Sequence, residues 1–193
     1  MLITHDRERL INAIIYFAKN TKHCGITKLM KLLFLLDFEH FKMTGRSVTG
    51  QEYFAYPKGP VPGEIHDELS NDELGEDLAK AVAILPEQMF RHKRWTIKAL
   101  SKFNSSLFSN RELRLLESIS KEYQELRSQQ MVKVTHAENG VWDQVYAKGA
   151  GSRLRIPYEL SSPEASHPDL IIEKAKEFSA LKAHFGRVPN AIY

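Results

Sequence analysis
Eight histidines and a single cysteine, Cys24, are the side chains of this 193-residue sequence best suited to metal binding or nucleophilic chemistry. A zinc site needs three or four converging ligands, commonly with two at close spacing on a helix or turn, and no His-x-x-x-His pair occurs. One cysteine cannot supply several thiolates or close an internal disulfide, so no metal is expected. Glu64-Ile65-His66-Asp67-Glu68 is a compact set of candidate ligands, and a run of charge of this kind reads first as a solvated helix face. Cys24 beside His23 could be imagined as a thiol and its base. Neighbours on a helix end point about 100° apart, however, and Cys is among the most buried residue types, so a structural Cys24 is the plainer expectation. Lys58-Gly59-Pro60 and Lys148-Gly149-Ala150-Gly151 lack the register of a phosphate loop, and no nucleophile elbow or kinase signature is present. These residues predict neither an enzyme nor a cofactor.

Two further groups carry physical interest. Arg91-His92-Lys93-Arg94-Trp95 sets phosphate-binding charge beside a stacking aromatic. Arg91, Lys93, Arg94 and Trp95, with Lys98 and Lys102 nearby, therefore form the alternative reading, a small DNA-binding or phage regulatory protein. The bland counterpart is an edge strand whose Lys and Arg prevent strand-to-strand aggregation. Asp37 lies between Phe34, Leu36 and Phe38; if buried it needs a partner, and a histidine, Lys31 or a backbone cap are the candidates.

Composition limits the rest. The chain is 42% hydrophobic and 26% charged, which suits one soluble domain with a full core. A net charge of +3 argues against a partner held mainly by a strongly basic surface, so nucleic acid is disfavoured. That balance hides an acidic stretch, Glu64 to Asp77, and a basic one, Arg91 to Lys102. The N-terminus reaches charge before any signal-peptide run, and Leu29 to Phe41 is interrupted by Lys31, Asp37, Glu39 and His40. It is also shorter than the ~20 residues that cross a bilayer. No membrane partner and a reducing cytoplasm are the expectations.

The elements that must position these residues are mainly helices. Leu10, Ile11, Ile14, Ile15 and Ala18 recur at helical spacing behind a cap at Asp6 or Thr4, with Gly25 as the stop. Thr27 is placed to cap a second helix to about Met43. Its stripes Leu29/Leu32/Leu33/Leu36 and Met30/Phe34/Phe38/Phe41 require cover on more than one face, which makes it the central buried helix, and Gly45 ends it. Glu52 to Tyr56 reads as a short strand and Pro57 to Gly63 as a rigid irregular loop, because its prolines lack a donor for a central ladder. Ile65 and Leu69 suggest a short helix. Met89 to Ile97 is a candidate strand to pair with Glu52–Tyr56. Ser109-Asn110-Arg111-Glu112 fits a capping box with Phe108 and Leu113 as the staple, and Thr135-His136-Ala137-Glu138 repeats that pattern before Val141 and Trp142. A last amphipathic helix carries Ile171, Ala175, Phe178, Leu181 and Phe185 to a stop at Gly186. The fold class is α+β, predominantly helical, with a small antiparallel sheet or hairpin.

Taken in order, Lys28-Leu29-Met30-Lys31-Leu32-Leu33-Phe34-Leu35-Leu36-Asp37, then His40 and Gly45-Arg46, then Tyr53-Phe54-Ala55-Tyr56-Pro57-Lys58-Gly59-Pro60-Val61-Pro62 resemble the front half of the Panacea domain of SocA-like antitoxins and related phage-associated proteins. The helix from Ser109, Thr135-His136 with Gly140-Val141-Trp142, and Ile156-Pro157-Tyr158 resemble its back half. Lys28, Leu32, Asp37, His40, His136 and Trp142 are the motif positions expected to be structural. The resemblance implies a Panacea-like body over 1–160 and a helical extension over 161–193. It also implies a non-enzymatic antitoxin of a toxin–antitoxin or phage-related system, which neutralises a cognate toxin by protein–protein contact or delivers it to a cytoplasmic protease or its unfoldase. Homo-oligomerisation stays open. Tyr56, Lys58, Gly59, Pro60 and Val61 on the loop, and Phe178, Leu181 and Phe185 on the last helix, are the candidate partner contacts, the helix stripe having core packing as its ordinary alternative.

Overall fold
The computed structural model describes residues 5–71, 74–89 and 92–185, with residues 87–89 and 92–94 described by backbone alone. In chain order the elements are α1 (Asp6–Asn20), α2 (Ile26–Thr44), β1 (Tyr53–Tyr56), β2 (Gly59–Pro62), α3 (Gly63–Ser70), α4 (Glu76–Ala81), β3 (Val82–Met89), β4 (His92–Ala99), α5 (Asn110–Glu122), α6 (Ser128–Thr135), α7 (Val141–Tyr146), β5 (Arg155–Ile156) and α8 (Pro168–Phe185). The fold is predominantly helical α+β. No helix among the described residues is long and apolar enough to cross a membrane.

α2 is the axis, as its two apolar stripes require. Leu29, Leu32, Leu33 and Leu36 join Leu10, Ile14 and Phe17 of α1, Ile65 of α3 and Leu116 of α5 in the main core. Phe34 and Phe38 form a second cluster with Tyr53, Ala55, Trp142 and Ile156. Phe41, near the C-terminal end, packs with Ile171 and Ala175 of α8. Burying three such faces of one helix removes it from water almost completely, which stabilises it more than its intrinsic propensity does. Gly45 ends α2 in the left-handed conformation at φ 72, and its N–H bonds to the Phe41 carbonyl at 2.8 Å. The capping box of α5 is present: the Ser109 N–H donates to Glu112 Oε2 at 2.7 Å and the Glu112 N–H to the Ser109 hydroxyl at 3.4 Å.

Several local expectations are corrected. The first helix has His5 as its N-cap with no side-chain cap bond, Asp6 being already helical, while Thr4 lies outside the described residues. Gly25 does not stop α1, which ends at Asn20; it is the N-cap of α2, in place of Thr27. A glycine is needed at that point because a Cβ there would stand 2.7 Å from the Trp95 carbonyl oxygen. Pro57 to Gly63 is no irregular loop. Gly59–Pro62 pairs antiparallel with β1, Tyr56 opposite Gly59 and Ala55 opposite Pro60, across a Pro57-Lys58 turn. This is compatible with its prolines because β2 is the outer strand of the order β2-β1-β5. The expected pairing of Met89–Ile97 with β1 is overturned as well, since β2 and β5 already occupy both edges of β1. β4 pairs instead with β3, in a separate two-stranded ribbon. Thr135-His136 does not open α7. Thr135 ends α6, its hydroxyl donating back to the Met131 and Val132 carbonyls at 3.3 Å each, and Gly140 is the N-cap of α7. The stop assigned to Gly186 lies outside the described residues.

Candidate functional site
The β1–β2 hairpin is the place where the motif residues converge. Its base is set by Asp37, fully buried on α2, whose carboxylate accepts the Val48 and Thr49 N–H groups at 2.8 Å each, the Thr49 hydroxyl, and the Tyr53 hydroxyl at 2.8 Å. Of the three partners open to Asp37, the backbone cap is the one used. Burial pushes this carboxyl up from its ordinary range while the four hydrogen bonds oppose the rise. One carboxylate thus ties the chain after α2 and the first residue of β1 to the central helix.

The tip is held by Lys31, one helical turn from Lys28. Its side chain is 1% exposed and its Nζ donates to the Pro60 carbonyl at 2.7 Å. Burial lowers its pKa to about 7, since an ammonium there has lost its water. Pro60 has no N–H for the ladder, and its carbonyl serves the helix. Gly59 sits between them at φ +101, and a Cβ on it would lie 2.9 Å from Lys31 Cε and 3.0 Å from the Thr135 hydroxyl oxygen. Glycine is therefore required there both by conformation and by space. On the other side the Trp142 indole N–H donates to the Tyr56 carbonyl at 3.0 Å. His136 stacks on Trp142 with centroids 3.6 Å apart and planes at 6°, and Trp142 on Tyr146 at 4.5 Å. Burial and the neighbouring Lys31 lower the His136 pKa, with the Lys58 carbonyl pulling the other way. Its Nε2 is buried with no hydrogen-bond partner among the described residues.

The remaining motif positions fix the ends of α2. Lys28 is fully buried and its Nζ donates to the Lys22 and Gln124 carbonyls at 2.8 and 3.0 Å, tying α2 to the turn after α1 and the turn after α5. His40 Nδ1 donates to the Arg46 carbonyl at 2.8 Å, and burial lowers its pKa. Leu32 is fully buried in the main core.

Beside the hairpin tip opens a cavity of about 230 Å³ whose lining includes Met30, Lys31, Tyr56, Lys58, Val61 and His66. Of the loop residues singled out by sequence, Lys58 is exposed, Tyr56 is half-buried, and Gly59, Pro60 and Val61 are buried. Thus Tyr56 and Lys58 form the accessible rim, and Val61 is reached only through the cavity. Phe178 is half-buried under the Arg46 guanidinium at 4.4 Å, while Leu181 and Phe185 are each 46% exposed. The hairpin tip and α8 are separate surfaces: the cavity opens near the start of α2 and α8 packs at its end.

The basic segment is reached only in part. Arg91 lies outside the described residues, as do the side chains of Lys93 and Arg94, and Trp95 is 49% exposed on β4. The acidic stretch has a structural use. Arg7 of α1 makes two bonds of 2.8 Å to Glu68, and bonds of 2.9 and 2.8 Å to Asp77. This guanidinium holds the Asp77 carboxyl down at about 2. Among the described residues no three His, Cys, Asp or Glu side chains form a group that could hold a metal.

Sequence reasoning missed β5, two residues long and about a hundred positions from its partner, and it missed that Thr135, Gly59 and Lys31 meet. Only the Gly59-Pro60 dipeptide hinted at that meeting, as an unusual backbone.

A search of curated proteins and one of solved structures found no match. Comparison with protein-family models found one over residues 29–143, described as "Antitoxin SocA-like, Panacea domain". The matched span runs from the first core leucine of α2 through the hairpin it grips to Trp142, the side chain that closes the tip, and it covers more than half of the chain. The protein therefore belongs to the SocA-like antitoxin family defined by the Panacea domain.

Proposed function
We propose that the protein is an antitoxin that neutralises a cognate toxin in the cytoplasm by direct contact, with no chemistry of its own, and that the β1–β2 hairpin tip is its principal contact. The observation that carries this reading is the gripping of the tip. Lys31, Trp142 and, through Tyr53, Asp37 hold it in one conformation, while Tyr56 and Lys58 stand at the mouth of a small, mostly apolar cavity. A pre-ordered surface loses little conformational entropy on binding, and a cavity of this size takes one apolar or aromatic side chain. Lys31 is bonded to a backbone carbonyl and His136 is stacked on an indole, so neither is set against a nucleophile. Leu181 and Phe185 of α8 offer a second contact, and the segment 161–193 is the part of the chain that would vary with the partner.

Co-expression with the product of the adjacent gene tests the proposal. Rescue from toxicity and co-purification are expected, and Tyr56→Ala with Lys58→Glu should weaken both by roughly tenfold or more. Absence of rescue and of co-purification overturns the reading. Following the toxin's half-life with and without the cell's ATP-dependent protease separates delivery for degradation from blocking by contact.

A further inference from the structure
The larger cavity lies at the opposite end of α2, a groove of about 860 Å³ between the starts of α1 and α5 and the flank of α8. Its charges are uneven. Arg9 is paired with Glu112, and Lys182 with Asp6 at 3.0 Å. Arg46, Arg111 and Lys174 also line the groove, are exposed, and have no ion pair among the described residues. A single lining carboxylate, Glu177, is similarly unpaired among them. Positive charge is therefore in excess where solvent reaches it. Arg46 lies over the Phe178 ring at 4.4 Å, an arrangement that steadies a guanidinium while leaving N–H donors for a carboxylate. Apolar surface is interleaved with these cations: Met43 is 51% exposed, and Leu107 and Phe178 are half-buried along the same lining.

We propose that this groove docks an acidic, apolar-studded peptide segment of a protein partner, its carboxylates pairing with Arg46, Arg111 and Lys174 and its apolar side chains covering Met43, Leu107 and Phe178. The inference rests on the contact-acting reading above and adds to it a second surface and the chemistry that the surface selects. The mixed lining favours a peptide over a polyphosphate or a nucleic-acid strand. A ligand dense in phosphate would set its charge against Asp6, Glu112 and Glu177 and leave the apolar wall uncovered. Carboxylates spaced by apolar side chains match both halves of the lining.

The test uses the full chain and a fluorescein-labelled peptide built from Glu, Leu and Phe, followed by anisotropy, with the same peptide carrying Gln for Glu, and ATP, as comparison probes. Saturable binding of the Glu peptide is expected, weakened by added salt. It should also weaken by roughly tenfold or more in Arg46→Glu/Arg111→Glu and in Lys174→Glu, and stay unchanged in Lys121→Glu, an exposed cation outside both linings. All the substituted side chains are exposed, and unchanged thermal melts confirm the fold. Equal binding of the Gln peptide, equal binding by the groove variants, tighter binding of ATP, or no saturable binding overturns the proposal. Toxin neutralisation by the same variants separates the two readings. A wild type that binds the Glu peptide but rescues nothing overturns the antitoxin reading alone, and one that rescues but binds no peptide overturns the groove alone.

Discussion
The protein contains two antiparallel hairpins that are built on opposite plans. β1–β2 is gripped from within by polar side chains of the central helix and by an indole: Asp37 at its base, Lys31 and Trp142 at its tip. The β3–β4 ribbon is laid on the helices. Val82 and Ile97 are buried, the Ile97 N–H bonds to the Cys24 carbonyl at 2.8 Å, and Leu85 and Trp95 remain 44% and 49% exposed. A buried hydrogen bond has a narrow geometry and its loss leaves a desolvated group behind, whereas apolar contact tolerates small shifts. The first hairpin is therefore held to one position by directional bonds from buried side chains, and the second by apolar area together with the Ile97 backbone bond. In this family member the rigid one carries the contiguous motif residues from Tyr53 to Pro62.

Breaking the base of the gripped hairpin should have the largest effect. Asp37→Ala strands two N–H groups and two hydroxyls in the core, and a loss of about 4 kcal/mol in a denaturant titration is expected. Gly59→Ala at the tip should lose about 2 kcal/mol, because a Cβ meets Lys31 and Thr135 at a φ that disfavours any side chain. A milder effect of Gly59→Ala than of Leu85→Ala, an exposed position of the β3–β4 ribbon, would invalidate the contrast.

Lys31→Met sharpens it through pH. The unfolded chain keeps the lysine proton up to about 10.5 and the folded chain releases it near 7. Between those values unfolding takes up a proton, so the stability of the wild type rises with pH in that window and the cost of the buried ammonium is felt in full below it. The stability difference between wild type and variant should therefore shift in favour of the wild type from pH 7 to pH 10. A difference that stays constant would show that Lys31 is not the buried amine described. The smallest effect belongs to the ribbon: Trp95→Ala, half exposed, should change stability by no more than about 0.5 kcal/mol in the same titration.

Much of this arrangement was legible in the sequence, for reasons that are local. The two stripes of α2 announce a helix covered on several faces, because side-chain direction follows from the 3.6-residue period alone. The box at Ser109 and the stop at Gly45 were legible because capping is settled within a few residues. Gly25 and Thr135 misled for the converse reason. Each matches a local signal, a helix stop and a helix cap, yet Gly25 is required by a distant neighbour, the Trp95 carbonyl, and Thr135 turns its hydroxyl back onto the Met131 and Val132 carbonyls of the helix it ends.

By itself the sequence determined the central helix with its two apolar stripes, the exclusion of the Pro57–Gly63 prolines from a central strand, and the ordered motifs that resemble the family. Tertiary structure alone decided that Gly59–Pro62 forms one edge of the sheet, that Arg155–Ile156 takes the other one, that Asp37 chooses the Val48–Thr49 backbone over a histidine, and that Lys31 reaches Pro60. Strand pairing and buried hydrogen bonds depend on which groups are left without water once the core has closed. That is a property of the packed molecule, and no short window of residues contains it.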